Sequence, residues 1–366
     1  MQITIQREEL VKPLGFVAGV VERRQTLPIL SNVMLRHSQG VLSMTGTDLE
    51  VEVIVNTRTA QGEDGEITVP ARKLLDICRA LPAQAVIEFR LEKGKALIKS
   101  GRSRFTLLTM PAAEFPNLEA SQWQWALTLP QSSLRRLLEK TQFCMAQQDV
   151  RYYLNGLLLE VSGERLRAVA TDGHRMGLSE VRLEQPFTGE RQCIIPRKGV
   201  LELVRFLADS DDEVEIKGGT NHIRVVMKDL TFTSKLIDGR FPDYSKVIPH
   251  NQQTRVLIGR EVFRETLSRA AILSNEKYRG VRFTVGPGML RLSAHNPEQE
   301  EAQEELAIDY NGDELDIGFN VNYISEAVAA LESTEVELGL TDANSSCTLT
   351  APGDSKNQYV VMPMRL

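Results

Sequence analysis

Three stretches, SMTGTDLEVEV (43–53), AVATDGHRMGL (168–178) and RLSAHNPEQEE (291–301), put Asp48, Asp172 and Asn296 in one slot at intervals of 124 residues. A second series recurs at nearly that spacing, 126 and then 124 residues. ITVPARKLLDICRAL (67–81), CIIPRKGVLELVRFL (193–207) and IGFNVNYISEAVAAL (317–331) align Pro70, Pro196 and Asn320. A third, AAEFPNL (112–118), DGRFPDY (238–244) and YVVMPMRL (359–366), brings round Pro116, Pro242 and Pro363. Markers that recur at one period set the architecture before any local reading. The 366 residues are a tandem triplication of a unit of about 122, an ordinary domain size.

Each unit repeats one pattern. Leu10, Leu14, Val17 and Val21 fall on one face of a first helix, whose counterparts start near Leu134 and Val262. A second helix begins at Pro70 with Leu74, Ile77, Cys78 and Leu81 inward. Its copies carry Val200, Leu203, Val204 and Leu207, then Ile324, Val328 and Leu331. Between the helices run alternating segments such as VLSMTGTDLEVEVIV, which read as strands. The expected fold is α+β: three tandem similar domains, each with two helices and about eight short strands in antiparallel sheets. The domains are 1–125, 126–250 and 251–366, joined at the polar SQWQW and PHNQQTR.

Hydrophobic content of 42% and charged content of 25% are those of a globular protein, and nothing approaches a membrane span. MQITIQREEL lacks the basic and apolar regions of a secretory leader, so a cytoplasmic location is expected. Cys78, Cys144, Cys193 and Cys347 make no C-x-x-C pair and read as buried apolar residues.

Asp172 and His174 sit beside Arg175, an arrangement that invites an enzymatic reading: a hydrolase or metal enzyme using Asp172 and His174, with His295 as a further candidate. The recurrence argues otherwise. Asp48, Asp172 and Asn296 are residue types that satisfy their own turn backbone, and Gly173 tolerates a positive φ. No phosphate-binding loop, zinc-helix motif or nucleophile elbow is present, and the histidines show no ligand spacing. No metal, cofactor or catalytic residue is expected.

Charge says more. The three units carry net charges of +1, +1 and −8, within a chain total of −6. The acidic run holds Glu298, Glu300, Glu301, Glu304 and Glu305, and the first unit has the opposite run KSGRSRF with Lys99, Arg102 and Arg104. Opposite patches at the two ends of a chain favour a head-to-tail contact, which closes into a ring when the rotation permits. Basic residues along the repeat helices offer a surface for phosphates. A monomeric repeat scaffold that binds only proteins is the other alternative.

TLPILSN, TGTDLE, TVPARK, SGRSRF, QDVRYYLNG, ATDGHR, TSKLIDGRFPDY, AILSNEKYRGVR, NPEQEEA and YVVMPMRL together resemble the bacterial sliding clamps, the β subunits of DNA polymerase III, along essentially the whole chain. The resemblance implies a head-to-tail homodimer ring around double-stranded DNA, bound without regard to sequence. It implies no catalysis. Partners would be the replicative polymerase, the clamp loader and other replication and repair proteins, each docking a short linear peptide. By resemblance, DNA contacts fall to Arg24, Arg72, Gln148, Tyr152 and Tyr153. The peptide pocket falls to Arg151, Tyr153, Leu154, Thr171, Gly173, His174, Arg175, Met176, Pro242, Lys246, Val247, Asn320, Tyr323, Ser346, Val360, Val361, Met362, Pro363, Met364 and Arg365. The dimer contact falls to Lys73, Arg102, Arg104, Phe105 and Leu107 against Ile272, Leu273, Glu298, Glu300, Glu301 and Glu304. Met176, Lys246 and Asn344 stand where the family more often has leucine, arginine and an apolar residue. Lysine lacks arginine's planar fork, so Lys246 bears on partner preference.

Overall fold

Among the described residues six helices recur where the periodicity places them: α1 (Arg7–Val20), α2 (Ala71–Ala80), α3 (Gln131–Glu139), α4 (Arg197–Phe206), α5 (Arg260–Ile272) and α6 (Val321–Ala330). The computed structural model describes residues 1–21, 27–58, 61–118, 122–250 and 252–366. α1 buries Leu10, Leu14 and Val17, and Val21 is buried one residue past the helix end. α2, α4 and α6 bury Leu74, Leu203 and Ile324 as their patterns require. α5 starts near Val262, as expected. Phe263, Leu267 and Ala270 point inward, while Val262 is 54% exposed.

The chain folds as two compact units, Met1–Ser132 with Lys198–Leu236, and Ser133–Arg197 with Ile237–Leu366. The first holds a five-stranded sheet ending on the strand Ser103–Leu108 and an eight-stranded sheet. In the larger sheet Leu230–Lys235 pairs antiparallel with Val51–Arg58, Phe232 facing Val53. The second unit holds a six-stranded sheet, in which Arg175–Pro196 pairs with Asn357–Val361 and Met176 faces Val360. It also holds a four-stranded sheet ending on Glu301–Ala307. Two sheets therefore run across sequence repeats. Such continuation covers strand edges that would otherwise stay unpaired, which is why the compact units divide the middle repeat.

Among the described residues nine strands fall within 2–108, six within 125–235 and eight within 254–361, against about eight expected per repeat. The middle repeat has fewer because its strands are long. Gly156–Thr171 shifts register at Ser162–Arg165, where Gly163 has φ 55°. One arm pairs with 190–196 and the other with 176–182, so the two arms match the separate strands Asn32–Ser38 and Val41–Thr47 of the first repeat. Cys78, Cys144 and Cys347 are buried and Cys193 is half-buried, all as free thiols. Among the described residues no helix is long and apolar enough to cross a membrane.

Candidate functional site

The turn that opened the sequence is built identically in the first two repeats. Asp48 Oδ1 accepts from the backbone N–H of Glu50 (2.9 Å) and Val51 (2.7 Å), and Asp172 Oδ1 from those of His174 (2.9 Å) and Arg175 (3.0 Å). Thr47 and Thr171 complete each turn by donating to the carbonyls of Val51 and Arg175. Leu49 and Gly173 both have positive φ, 76° and 88°. Asn296 closes a longer turn by accepting from Glu300 N at 2.9 Å. Asp172 is thus a turn residue with its oxygens occupied, Oδ2 by Arg175 Nε at 3.2 Å.

Glycine suits position 173 on two counts. The positive φ disfavours a side chain, and a Cβ there would meet the Arg151 guanidinium at 2.7 Å. Arg151 lies over it because Asp149 holds it by a two-pronged bond (3.0 and 2.9 Å) and the Asp172 carbonyl accepts from it at 3.2 Å. That fork lowers the Asp149 carboxyl to about 2.

Against this turn lies a cavity of about 160 Å³, lined by Arg151, Tyr153, Leu154, Thr171, Gly173, His174, Arg175, Met176, Pro242, Val247, Val360 and Met362. Leu154, Met176 and Val360 are at most 2% exposed and form its floor, while Met362 (42%) and Val247 (37%) stand at the rim. Beneath it pack Leu158, Val169, Leu178, Ile194 and Phe241. The Pro242–Val247 wall is tied down by Tyr244, whose hydroxyl donates to Glu160 (2.6 Å) and accepts from Arg167 (2.7 Å). Burial raises the Tyr244 hydroxyl, and the bond to Glu160 adds to that. The result is an apolar slot with a polar rim, the form that takes one or two apolar side chains of a short segment.

The remaining expected pocket residues lie around this cavity rather than on it. Tyr323 lines an adjoining recess of about 430 Å³ with Asp149, Asp172, His174, Arg175 and Arg197. There Arg175 stacks on Tyr323 (4.4 Å) and Phe143 (5.4 Å) and pairs with Glu326. Asn320 caps α6, accepting from the N–H groups of Asn322 (2.9 Å) and Tyr323 (3.4 Å). Lys246 is 81% exposed and pairs with Asp243 at 3.2 Å, clear of the cavity lining. Val361 is buried opposite Arg175 and Cys347. Ser346 is half-buried just past the turn in which Asp342 accepts from Asn344 N. Pro363 follows Met362, and Met364 and Arg365 line a third recess, of about 400 Å³, with Tyr278 and His295. Sequence reasoning missed Phe143, Glu326, Arg167 and Tyr244. Only Tyr244, the last residue of FPDY at the recurrent proline marker, left a signal in the pattern.

Of the expected DNA contacts, Arg24 lies outside the described residues. Arg72 is exposed and donates to the Val21 carbonyl at 3.1 Å. Gln148 is exposed with φ 58°, and Tyr152 is 57% exposed edge-on to Tyr153. The residues expected at a dimer contact fall on two sheet edges. Arg104, Phe105 and Leu107 are on the edge strand Ser103–Leu108, next to Arg102, with Lys73 exposed on α2. Leu107 turns inward at 8% exposure and its neighbour Leu108 turns outward at 72%. Glu301 and Glu304 are on the edge strand Glu301–Ala307, after the exposed Glu298 and Glu300. Glu304 already pairs with Arg269 of its own chain at 2.9 Å, which lowers its carboxyl. Ile272 at the end of α5 is 72% exposed and Leu273 half-buried. Among the described residues no group of three or more histidine, cysteine or acidic side chains gathers to hold a metal.

Family models match the chain in three consecutive parts: DNA polymerase III beta subunit, N-terminal domain at 1–119, central domain at 128–243 and C-terminal domain at 245–365. The beta sliding clamp of Pseudomonas putida is 53% identical, with all of each chain covered. The crystal structure of the DNA polymerase III subunit beta from Pseudomonas aeruginosa superposes with a TM-score of 0.98 at 52% identity over all of both chains. A sliding clamp from the same organism, solved bound to griselimycin, gives 0.97 at 52% identity, again over all of both chains.

Proposed function

The chain belongs to the DNA polymerase III beta subunit family and is a sliding clamp, a non-catalytic processivity factor, and from that premise we propose how its surfaces divide the work. Two chains join head to tail around duplex DNA, edge strand Ser103–Leu108 of one against Glu301–Ala307 of the other. Lys73, Arg102 and Arg104 meet Glu298, Glu300, Glu301 and Glu304, while Phe105, Leu107, Ile272 and Leu273 supply the apolar part. Glu304 exchanges or shares its bond with Arg269 when the partner arrives. The domains are 1–125, 126–250 and 251–366, and the protein works in the cytoplasm.

A closed ring does not need tight DNA binding. Weak contacts to phosphate from Arg24, Arg72, Gln148, Tyr152 and Tyr153 read no bases and are alike at every register, so the ring slides. The cavity between the 171–175 turn and the strand Asn357–Val361 takes the short linear motifs of polymerase, loader and repair partners. Methionines at its floor and rim adapt to different apolar side chains, which suits one site to many partners. Lys246, Asn320, Tyr323, Ser346 and the 361–365 segment extend it. Griselimycin, bound by the Pseudomonas aeruginosa clamp, is the ligand to expect there.

The observation that carries this reading is the apolar cavity in a chain that matches sliding clamps from end to end. The test is loading onto nicked circular DNA by a clamp loader with ATP, followed by linearisation. Retention on the circle and loss after cutting is the expected result. Equal retention on circular and linear DNA, or none on either, overturns it.

A further inference from the structure

Each repeat ends in a segment that crosses back over the same strand. In the first, Met110 N bonds the Thr68 hydroxyl (3.3 Å) and bridges that strand. In the second, Ile237 N donates to the Ile194 carbonyl (2.9 Å), and in the third Met364 N donates to the Gly318 carbonyl (2.8 Å). Thr68, Ile194 and Gly318 lie 126 and 124 residues apart, and Met110, Ile237 and Met364 lie 127 apart each time. By this measure Pro363 is not the structural counterpart of Pro116 and Pro242, which come five or six residues after the crossing point.

The third strap differs in how it is held. The first two continue to a buried phenylalanine, Phe115 at 4% exposure and Phe241 at 6%. The third carries Leu366, 46% exposed, beside the open recess of about 400 Å³. It rests on a seat. Gly280 faces Asn320 and Gly318 faces Arg282 in one antiparallel pair, so the two glycines share the outer face of the sheet. A Cβ on Gly318 would meet the Met364 carbonyl oxygen at 2.5 Å and Leu366 Cδ1 at 2.8 Å, and one on Gly280 would run into the Leu366 side chain. At Gly318 the strap's backbone leaves room for no side chain, and at Gly280 a side chain would have to displace Leu366.

On its other side the strap is fixed by Met362 N donating to the His174 carbonyl at 2.9 Å. Pro363, which has no N–H, spans the two anchors. Met362 lines the 160 Å³ cavity, so its position depends on both. We propose that Gly280 and Gly318 are positioning residues for peptide binding: they seat the Met362–Leu366 strap and through it hold the Met362 wall of the pocket. This rests on the pocket reading above, and its test separates the two.

The full-length protein is titrated with griselimycin by calorimetry, as wild type, G318A, G280A, L366A, G280A/L366A and G318A/L366A, with ring mass checked by sedimentation. Absence of binding by the wild type refutes the pocket. With wild-type binding established, G318A weakens affinity roughly fivefold or more, about what one lost backbone hydrogen bond is worth, and G280A weakens it measurably but less, with ring mass unchanged. The methyl at 280 opposes only a side chain, so G280A has no further effect in the L366A background. The methyl at 318 opposes a backbone oxygen, so G318A keeps its effect there. Wild-type affinity in both glycine variants overturns the inference, as does an undiminished G280A effect in L366A. If G318A does not fold, the G280A and L366A cycle alone decides.

Discussion

Substituting Asp172 separates its two jobs, closing a turn and pairing with a cation. Asp172 and Arg175 are both largely buried, at 16% and 11% side-chain exposure. Asp172→Asn keeps an oxygen for the His174 and Arg175 amides but turns an NH₂ toward Arg175 Nε, so the bond to the guanidinium is lost. A hydrogen bond to a charged group is worth roughly 1.5–3 kcal/mol, and Arg175 retains Glu326 and the Phe143 carbonyl. Asp172→Ala loses the two amide bonds as well, about 2 kcal/mol more at roughly 1 kcal/mol each. Global melting of so large a chain is a poor readout, because multidomain unfolding is not two-state. Hydrogen exchange of the His174 and Arg175 amides reads the turn itself. Asp172→Asn leaves both protected, and Asp172→Ala speeds their exchange by roughly thirtyfold, the equivalent of about 2 kcal/mol. Asn296, which closes the third turn, is the natural precedent for asparagine. Equal exchange in the two variants would show that the charge, not the turn, is what Asp172 supplies, and full protection in Asp172→Ala would refute the wiring altogether.

Charge reversal at Arg102 and Arg104 weakens the dimer, and sedimentation at low concentration measures it; an unchanged coefficient would remove the edge-strand contact. The Asp149–Arg151 fork has a defined pH window. Its folded value of about 2 lies below the ordinary ~3.9 of a free aspartate, so its contribution is complete above that ordinary value and fades as pH falls toward about 2. Carboxyl NMR titration of Asp149 checks this, and a midpoint near the ordinary value would mean the fork does not form in solution.

The parts of this fold legible in the sequence are those that repeat or alternate locally. The Asp48 and Asp172 turns were readable because short-range bonds to the next two or three amides need only the right residue type. The start of α5 near Val262 is legible, but its inward row is not, because Val262 and Phe263 are both apolar and only packing chooses between them. Burial of Arg175 between Phe143, Tyr323 and Glu326 joins residues 32 to 151 positions apart, which no window of sequence displays. Glu304 looked free for a partner because its own Arg269 sits 35 residues away. The cavity was outlined through family resemblance. Its outlying members, Lys246 and Asn320 above all, are placed by an ion pair and a helix cap that a motif does not reveal.

Two of the sheet edges, Ser103–Leu108 and Glu301–Ala307, are unlike each other in sequence and charge. Two copies joined through them have two identical joints, not one. Parting a single joint opens the circle while the second joint still holds the halves together. The chain needs no separate hinge or latch for this, since whichever joint yields becomes the gate and the other becomes the tether. Opening therefore costs one interface, while falling apart costs two, and a loader can prise the circle open without releasing a piece of it.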